Sequence, residues 1–236
     1  VQAVMMPFEY TSQLSIDAAA QQASRLGVNY TVIAINEIYS AFIDALNTEF
    51  DGSQIDVSEQ NIQARARGVL LMAISNKKGV LVLTTGNKSE IAVGYSTLYG
   101  DMAGGFDPLK DVSKTLVYKL ATYRNVEYGT GSEEIIPNVV IERSPSAELA
   151  PGQIDLDNLP PYDVLDKILE LYVENDNSAD AIVAEGFDEV TVRKIIRLVD
   201  LNEYKRRQSP VGVRLTKRGF GRDRRYPITS FWPVGD

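Results

Sequence analysis

The chain has 236 residues, of which 44% are hydrophobic and 24% are charged, and its formal net charge is −8. It contains no cysteine and no histidine, which excludes disulfides, thiolate metal sites, a cysteine nucleophile and a Ser–His–Asp triad within these residues. The groups that remain are carboxylates, hydroxyls, lysine, arginine and backbone, which suit Mg²⁺ and phosphate chemistry, where positioning and charge do most of the catalysis.

The first segment, VQAVMMP, predicts a buried strand that ends at Pro7. It has no basic stretch followed by a long apolar run, so it is not a signal peptide. No apolar run in the sequence reaches the roughly 18 residues needed to span a bilayer. The segment also lacks an initiator methionine. We therefore expect a cytoplasmic protein without membrane contact, and a fragment whose true N-terminus lies upstream of Val1.

Strand-like and helical patterns then alternate along the first half of the chain. Strands are predicted for residues 28–35 and 80–85, and helices for residues 12–27, 36–46 and 56–79. Gly27 is expected to end the first helix, and Asp56 and Glu59 stand at capping-box spacing. Strands that are apolar throughout are typical of a parallel sheet covered on both faces. The order predicts an α/β fold, with a parallel sheet flanked by helices and ligands beyond the carboxyl ends of the strands.

The second half of the chain reads as mostly helical. A helix is predicted for residues 111–125, and a polar loop with four prolines follows at 144–162. Apolar residues at helical spacing then predict consecutive helices at 162–175, 178–186 and 188–208. The fold class is therefore α/β with a helical C-terminal part.

Charge is distributed unevenly along the chain. Residues 205–225 hold nine Lys or Arg and one Asp, a balance of +8, whereas residues 1–204 hold 15 basic and 30 acidic residues, a balance of −15. The acidic body argues against a nucleic-acid-binding protein, and the basic segment lacks the aromatic interleaving used to stack bases. Two interpretations of that segment stay open: it supplies positive charge to a ligand, or it pairs with the acidic body within the chain or across a dimer.

The stretch LTTGNKSEIAVGYSTLYGDMAGG, residues 83–105, has the character of a binding site. Thr85 and Gly86 stand where a strand gives way to a helix, so hydroxyl and N–H groups there suit a phosphate. Glu90 falls about one turn into that helix, within reach of a cation, and Asp101 lies in a glycine-rich turn that allows a ligand to approach closely. The structural alternative makes Thr85 an N-cap, Glu90 a solvated first-turn acid and the glycines ordinary turn residues.

The same string, extended through FDPLKDVSKTLVYKLA, resembles the synthetase domain of glutamine-dependent NAD synthetases, which belong to the ATP-pyrophosphatase group. Agreement continues in SEQNIQARARGVLLMAISN, RSPSAEL, LPPYDVLDKILELY and NEYKRRQ, in the family's order, from Val4 to about Thr229. The resemblance implies an adenine nucleotide alpha-hydrolase-like fold, with a parallel five-stranded sheet flanked by helices.

The resemblance also implies a reaction. ATP with Mg²⁺ adenylates the nicotinate carboxylate of deamido-NAD, and ammonia then attacks the acyl-adenylate to give NAD and AMP. In the two-domain type, an attached nitrilase-like domain makes the ammonia from glutamine with a cysteine nucleophile. Expected partners are deamido-NAD, ATP, ammonia, an upstream glutaminase domain and a second copy of the chain, since the family's active sites are built near a subunit interface.

Individual positions carry over from the family by resemblance. The ATP-binding positions are Thr85, Lys114 and Ser146. The positions that hold deamido-NAD are Asn61, Arg65, Glu90, Asp101 and Lys205. Glu90 is also the expected Mg²⁺ ligand, and one protein carboxylate is enough in kind, because Mg²⁺ completes its shell with phosphates and water. No residue is assigned covalent or acid–base catalysis. For Asn61 and Arg65 the alternative is that they are ordinary surface residues.

Two departures from the family affect what we expect of this chain. The family's S-G-G-x-D-S loop, which cradles pyrophosphate and supplies a second Mg²⁺ ligand, occurs nowhere in the sequence. The glutaminase domain and its cysteine are absent as well. We therefore interpret residues 1–236 as an NAD synthetase domain truncated at its N-terminal side, inactive and poorly stable by itself. The competing hypothesis is a non-catalytic module with the same fold, which binds a nucleotide or serves in oligomer assembly.

Overall fold

The computed structural model describes residues 1–128, 134–221 and 223–230. The chain divides into two compact units. Unit 1 comprises Val1–Arg67 and Tyr118–Asn158, and unit 2 comprises Gly68–Val117 and Leu159–Asp236. None of the helices within the described ranges is long and apolar enough to cross a membrane.

Unit 1 begins with a β–α–β motif. Strand β1 (Gln2–Met5) and strand β2 (Asn29–Val32) are parallel, with Gln2 opposite Asn29 and Met5 opposite Val32. Helix α1 (Gln13–Leu26) connects them. It begins at Ser12, whose side chain accepts a hydrogen bond from the amide of Ser15, and it ends at Gly27 in the left-handed conformation. The predicted C-terminal role of Gly27 is therefore confirmed.

The other regular elements of unit 1 are helical. They are α2 (Asn36–Leu46), the first part of α3 (Val57–Lys78), the last part of α5 (Lys114–Tyr128), α6 (Asn138–Glu142) and a 3₁₀ turn (Asp155–Asp157). At the start of α3, the amide of Asp56 donates to Oε2 of Glu59 at 2.8 Å, and Oδ1 of Asp56 accepts from the amide of Ser58 at 2.7 Å. The two acids thus cap α3 at the predicted spacing.

Unit 2 packs short helices around an apolar core. Its helices are α4 (Lys88–Val93), α7 (Tyr162–Leu169) with a π-helical turn (Glu170–Glu174), α8 (Ala179–Ala184), α9 (Glu189–Leu201) and α10 (Glu203–Arg206). Leu165, Ile168, Ile195 and Ile196 are fully buried there, together with residues of α4. The predicted helical C-terminal part is confirmed.

Helix boundaries in unit 2 differ from the predictions at three places. The helix predicted for 111–125 begins at Lys114, because the carbonyl of Val112 instead accepts a hydrogen bond from the amide of Lys88 at 2.8 Å. The helix predicted for 162–175 widens to a π-helix at Glu170. The helix predicted for 188–208 is interrupted at Asn202, whose side-chain amide donates to the carbonyl of Leu198 at 2.8 Å.

The strand predicted for residues 80–85 is wrong. This segment makes one parallel bridge, between Leu83 and Phe106, with the amide of Thr84 donating to the carbonyl of Phe106 at 3.0 Å. Leu81 and Leu83 are 65% and 51% exposed, so the apolar faces that favoured a buried strand are uncovered. A β-strand needs a continuous series of backbone hydrogen bonds to a neighbouring strand, and a single bridge does not supply this series. The described residues therefore contain a parallel sheet of two strands, rather than the five implied by the resemblance.

Gly94 ends α4 at a position where a side chain does not fit. Its φ is +77°, and a Cβ atom placed there would lie 2.0 Å from Cγ of Asn202. Gly79, which follows α3, has a similar φ of +64° with nothing within 4 Å of a Cβ position. The two glycines therefore share a backbone conformation and differ in the space around them.

We expect Gly94→Ala to destabilise the protein considerably more than Gly79→Ala. The left-handed conformation costs an alanine about 1 kcal/mol at either position, and overpacking against Asn202 adds roughly 1–3 kcal/mol at Gly94 alone. Urea unfolding of both variants measures the difference. Equal losses in the two variants would show that Asn202 moves away without cost.

Candidate active site

Helix α4 presents Glu90 through a capping box at its N-terminus. Oδ1 of Asn87 accepts a hydrogen bond from the amide of Glu90 at 3.0 Å, and Oε2 of Glu90 accepts one from the amide of Asn87 at 3.4 Å. The Glu90 side chain is 23% exposed. The N-cap is therefore Asn87, not Thr85 as in the structural alternative, and Thr85 lies exposed two residues earlier.

Lys114, the first residue of α5, reaches the same place. Its Nζ lies 2.7 Å from Oε1 of Glu90 and 5.4 Å from the centre of the Tyr162 ring. The ring is buried, and its face attracts the ammonium group. The structure thus pairs two predicted site residues that are separated by 24 positions in the sequence.

Asp101 lies in the turn that follows α4. Its Oδ1 accepts a hydrogen bond from the amide of Thr97 at 2.6 Å. Desolvation by neighbouring protein atoms raises the pKa of the carboxyl, and the charge of Glu90 adds to this, whereas the Thr97 amide and the charge of Lys205 oppose it. The residue as a whole is exposed, although protein atoms surround its carboxyl group. Asp101 therefore lies within electrostatic reach of Glu90 and Lys205.

Lys205, on α10, binds the backbone at the C-terminal end of α4. Its Nζ donates to the carbonyls of Gly94 at 2.7 Å and Ser96 at 2.8 Å. Desolvation lowers the pKa of the ammonium group, and the charge of Asp101 opposes that shift. An ammonium group has three donors, and two of them serve these carbonyls. Lys205 therefore stabilises the site's own backbone, and its contact with deamido-NAD stays a prediction.

Three of the predicted residues belong to unit 1. Asn61 and Arg65 are four positions apart on α3, so their side chains leave the helix on the same face. Oγ of Ser146 accepts a hydrogen bond from the amide of Glu148 at 3.0 Å and donates to the carbonyl of Gln153. Ser146 therefore orders its own loop, while its contact with ATP stays a prediction.

Glu148 organises a polar cluster in unit 1 that the sequence did not indicate. Its Oε1 accepts hydrogen bonds from Oγ of Ser12 at 2.7 Å, from Oγ of Ser15 at 2.9 Å and from Nη2 of Arg143 at 2.8 Å. Desolvation raises the pKa of the carboxyl, but these three hydrogen bonds outweigh it, so the net shift is downward. The cluster joins the SPSAEL segment to the start of α1.

A buried lysine in unit 2 was also missed. Nζ of Lys88 lies 2.8 Å from Oδ1 of Asp111, 2.9 Å from Oε1 of Glu174 and 2.7 Å from Oγ1 of Thr216. Desolvation raises the pKa of Asp111, but hydrogen bonds from Lys88 and from the amides of Thr216 and Leu215 outweigh it and lower the pKa. One sequence signal could have indicated this cluster, namely a lysine in the first turn of a short apolar helix. A lysine that is buried there requires a partner of opposite charge.

Acids inside unit 2 pair with five described arginines of the basic segment, namely Arg206, Arg207, Arg214, Arg218 and Arg224, whereas Nε of Arg225 donates to the carbonyl of Gly221 at 3.1 Å. Nη2 of the buried Arg206 lies 3.0 Å from Oε2 of Glu203, and Nε of Arg207 lies 2.7 Å from Oε1 of the same residue. Desolvation lowers the pKa of Arg206 to about 10. Nη2 of Arg224 lies 3.3 Å from Oδ1 of Asp200. The structure thus favours pairing with the acidic body for these residues, while Arg222 lies outside the described residues.

The carboxylate oxygens of Glu90 are of the ligand type that Mg²⁺ uses. Within the described part of the chain, no group of three or more acidic residues is arranged to hold a metal by itself. A single carboxylate is what Mg²⁺ uses when substrate phosphates and water complete its octahedral shell. Glu90 is the carboxylate that the resemblance assigns to Mg²⁺, and the structure pairs it with Lys114; its role as a metal ligand stays a prediction.

Comparison with known proteins identifies related sequences along the whole chain. The NAD synthase family profile matches residues 1–209. A glutamine-dependent NAD(+) synthetase of Acinetobacter baylyi is 56% identical over 236 residues, which are 100% of this chain and 43% of that protein. The structure of glutamine-dependent NAD+ synthetase from Acinetobacter baumannii in complex with adenosine diphosphate is 52% identical, with a TM-score of 0.59, and covers 100% of this chain and 42% of that one.

A more distant structure supports the fold alone. A glutamine-dependent NAD(+) synthetase from Cytophaga hutchinsonii is 22% identical, with a TM-score of 0.77 over 98% of this chain and 38% of that one. The chain therefore spans about two fifths of the length of these three relatives.

We expect Lys88→Met to destabilise the protein by about 3–5 kcal/mol, because it leaves Asp111 and Glu174 without their buried counter-ion. Lys167→Met is the matched control, since Lys167 pairs with Glu170 on the exposed side of α7 and its removal should change stability little. Urea unfolding at neutral pH compares the two. A Lys88→Met variant as stable as the control would show that the buried cluster does not hold α4.

Proposed function

The chain belongs to the NAD synthase family, and from this we propose that it forms part of an enzyme that carries out the ATP-dependent amidation of deamido-NAD to NAD. The observation that carries the proposal is the pairing of Lys114 with Glu90 at 2.7 Å, on helix starts that lie next to each other in unit 2. One group suits a phosphate and the other a divalent cation, so the pair matches the two charges of a metal–nucleotide complex.

The reaction proceeds in two steps. An oxygen of the nicotinate carboxylate attacks the α-phosphorus of ATP, and the bond to the β-phosphate oxygen breaks, which releases pyrophosphate and leaves an acyl-adenylate. Ammonia then attacks the acyl carbon, loses a proton to solvent and displaces AMP, which leaves the amide of NAD. Both steps gain most from fixed charge and orientation around the phosphates.

Lys114 and Glu90 have complementary tasks in this scheme. The ammonium group of Lys114 donates to a phosphate oxygen and stabilises the negative charge that develops there. Glu90 would hold Mg²⁺, which would supply further positive charge to the phosphates. Before the nucleotide arrives, the two side chains neutralise each other, and Tyr162 keeps the lysine above its ring. Thr85 lies exposed before the α4 cap and is proposed to contact ATP.

Asp101 and Lys205 are proposed to face deamido-NAD. Their opposite charges lie at the turn after α4, and the charge of Glu90 contributes to the raised pKa of the Asp101 carboxyl. Asn61 and Arg65 on α3 are proposed for the same substrate, and Ser146 for ATP. The resemblance of the surrounding segments to the family supports these assignments.

The source of ammonia and the assembly are further proposals. The two Acinetobacter relatives are named as glutamine-dependent, and the chain spans about two fifths of their length. We infer that residues 1–236 form part of a synthetase domain, and that a separate glutaminase domain supplies ammonia from glutamine. We propose that the protein is cytoplasmic and that it forms a homo-oligomer.

We expect Lys114→Met to lower kcat/KM for ATP by roughly 10²-fold in the full-length protein, because a donor aimed at developing negative charge is lost. Lys119→Met, an exposed lysine on the same helix, is the matched control and should keep normal activity. The assay follows NAD formation from deamido-NAD and ATP with ammonium as nitrogen source. Unchanged kinetics in Lys114→Met, or nucleotide binding without any NAD formed by the parent protein, would contradict the proposal and favour a non-catalytic module.

A further inference from the structure

The N-terminus of α5 is held by two side chains that have no assigned role. Oγ of Ser89 accepts a hydrogen bond from the amide of Lys114 at 2.8 Å, and Oδ2 of Asp166 accepts one from the amide of Thr115 at 2.8 Å. The hydroxyl of Ser89 in turn donates to Oδ1 of Asp166. One carboxylate and one hydroxyl thus link α4, α5 and α7.

This link holds the backbone of Lys114 beside the start of α4, which carries Glu90. Ser89 precedes Glu90 on α4, and Ser89 is fully buried, so its hydroxyl has a fixed position. Because Lys114 is bound to that hydroxyl through its backbone, its side chain starts from a defined point beside Glu90. From that point Nζ of Lys114 reaches Oε1 of Glu90 at 2.7 Å.

Helix α7 acts on Lys114 from two directions. Tyr162 and Asp166 are four residues apart, so they lie on the same face of α7. The centre of the Tyr162 ring lies 5.4 Å from Nζ of Lys114. Oδ2 of Asp166 accepts a hydrogen bond from the amide of Thr115, at the start of α5. One helix face therefore orients both the charged end and the base of the lysine.

The same contacts indicate which groups at the start of α5 a phosphate would contact. A helix N-terminus attracts anions through its free amides and its dipole, but at α5 the first amides already bind Ser89 and Asp166. The carboxylate of Asp166 occupies the place of an anion there. A phosphate would therefore meet the side chain of Lys114 and not the backbone of α5.

We propose that Asp166 is a positioning residue that, with Ser89, orients Lys114 against Glu90 for ATP. It acts through Lys114 and does not touch the reacting atoms. The inference rests on the proposed function, because it assigns Asp166 to the ATP side of that same site.

The test is a double-mutant cycle in the full-length protein, with Asp166→Ala and Lys114→Met as the two changes and ammonium as nitrogen source. Asp166→Ala should lower kcat/KM for ATP about tenfold, the usual effect of losing a charge-assisted hydrogen bond. In the Lys114→Met background the same change should cost less than about twofold, because residues that act through each other are not additive. KM for deamido-NAD should stay close to its normal value.

Asp163→Ala is the matched control, an exposed aspartate one turn earlier on α7, and should leave the kinetics unchanged. Asp166→Asn keeps an acceptor and should recover part of the loss. If thermal unfolding shows that Asp166→Ala does not fold, Asp166→Asn and Ser89→Ala complete the same cycle.

The outcomes separate the two proposals. Additive losses in the cycle, with Lys114→Met itself impaired, overturn the positioning role and leave the proposed function intact. A Lys114→Met variant with unchanged kcat/KM for ATP overturns the proposed function and the positioning role together. Non-additive losses confined to ATP support the positioning role.

Discussion

Helix α4 has only six residues, and a helix of that length does not persist by its own hydrogen bonds. Side chains from elsewhere in unit 2 bind both of its ends. At the start, Lys88 and Ser89 reach Asp111 and Asp166. These partners and the Asn87 cap keep the helix formed and so hold Glu90 in position, and the proposed site therefore depends on a polar framework beneath it.

The C-terminal end of α4 explains why a basic segment occurs in an acidic protein. The last carbonyls of a helix lack intrahelical donors, and here Lys205 and Arg206 supply them: Nη1 of Arg206 donates to the carbonyl of Ala92 at 2.8 Å, and Nζ of Lys205 donates to that of Gly94. Positive charge is also favourable at this end of the helix dipole. Glu203 balances the buried arginine, so the segment stabilises the fold before any ligand is considered.

Much of the helical fold could be predicted from the sequence, because apolar periodicity and end signals are local properties. The helix at 36–46 begins and ends where it was predicted, and Gly27 ends α1. The segment 80–85 shows the limit, since a strand is stabilised by partners distant in the sequence. Its apolar composition favoured a buried strand, but composition does not show whether a hydrogen-bonded partner strand is present. The break at Asn202 is of the same kind, because it depends on a contact with α4.

The site could be predicted residue by residue but not as an arrangement. The resemblance named Glu90 and Lys114 separately, and no spacing rule relates a residue of α4 to one at the start of α5. Lys88, Ser89 and Asp166 escaped notice because their partners lie 23–128 positions away in unit 2, a separation that no local pattern records.

The Lys114–Glu90 pair suits a site that must open to a ligand. Its side chains are 18% and 23% exposed, so each charge is hydrated on one side and neither depends wholly on the other for compensation. A fully buried pair such as Arg206–Glu203, at 3% exposure on both sides, would lose several kcal/mol on separation. A phosphate and its divalent cation bring more charge than either side chain, so they can replace both partners at once. Unit 2 thus buries the ion pairs that hold α4, whereas the Lys114–Glu90 pair is partly exposed where the proposed exchange with a nucleotide and its cation would take place.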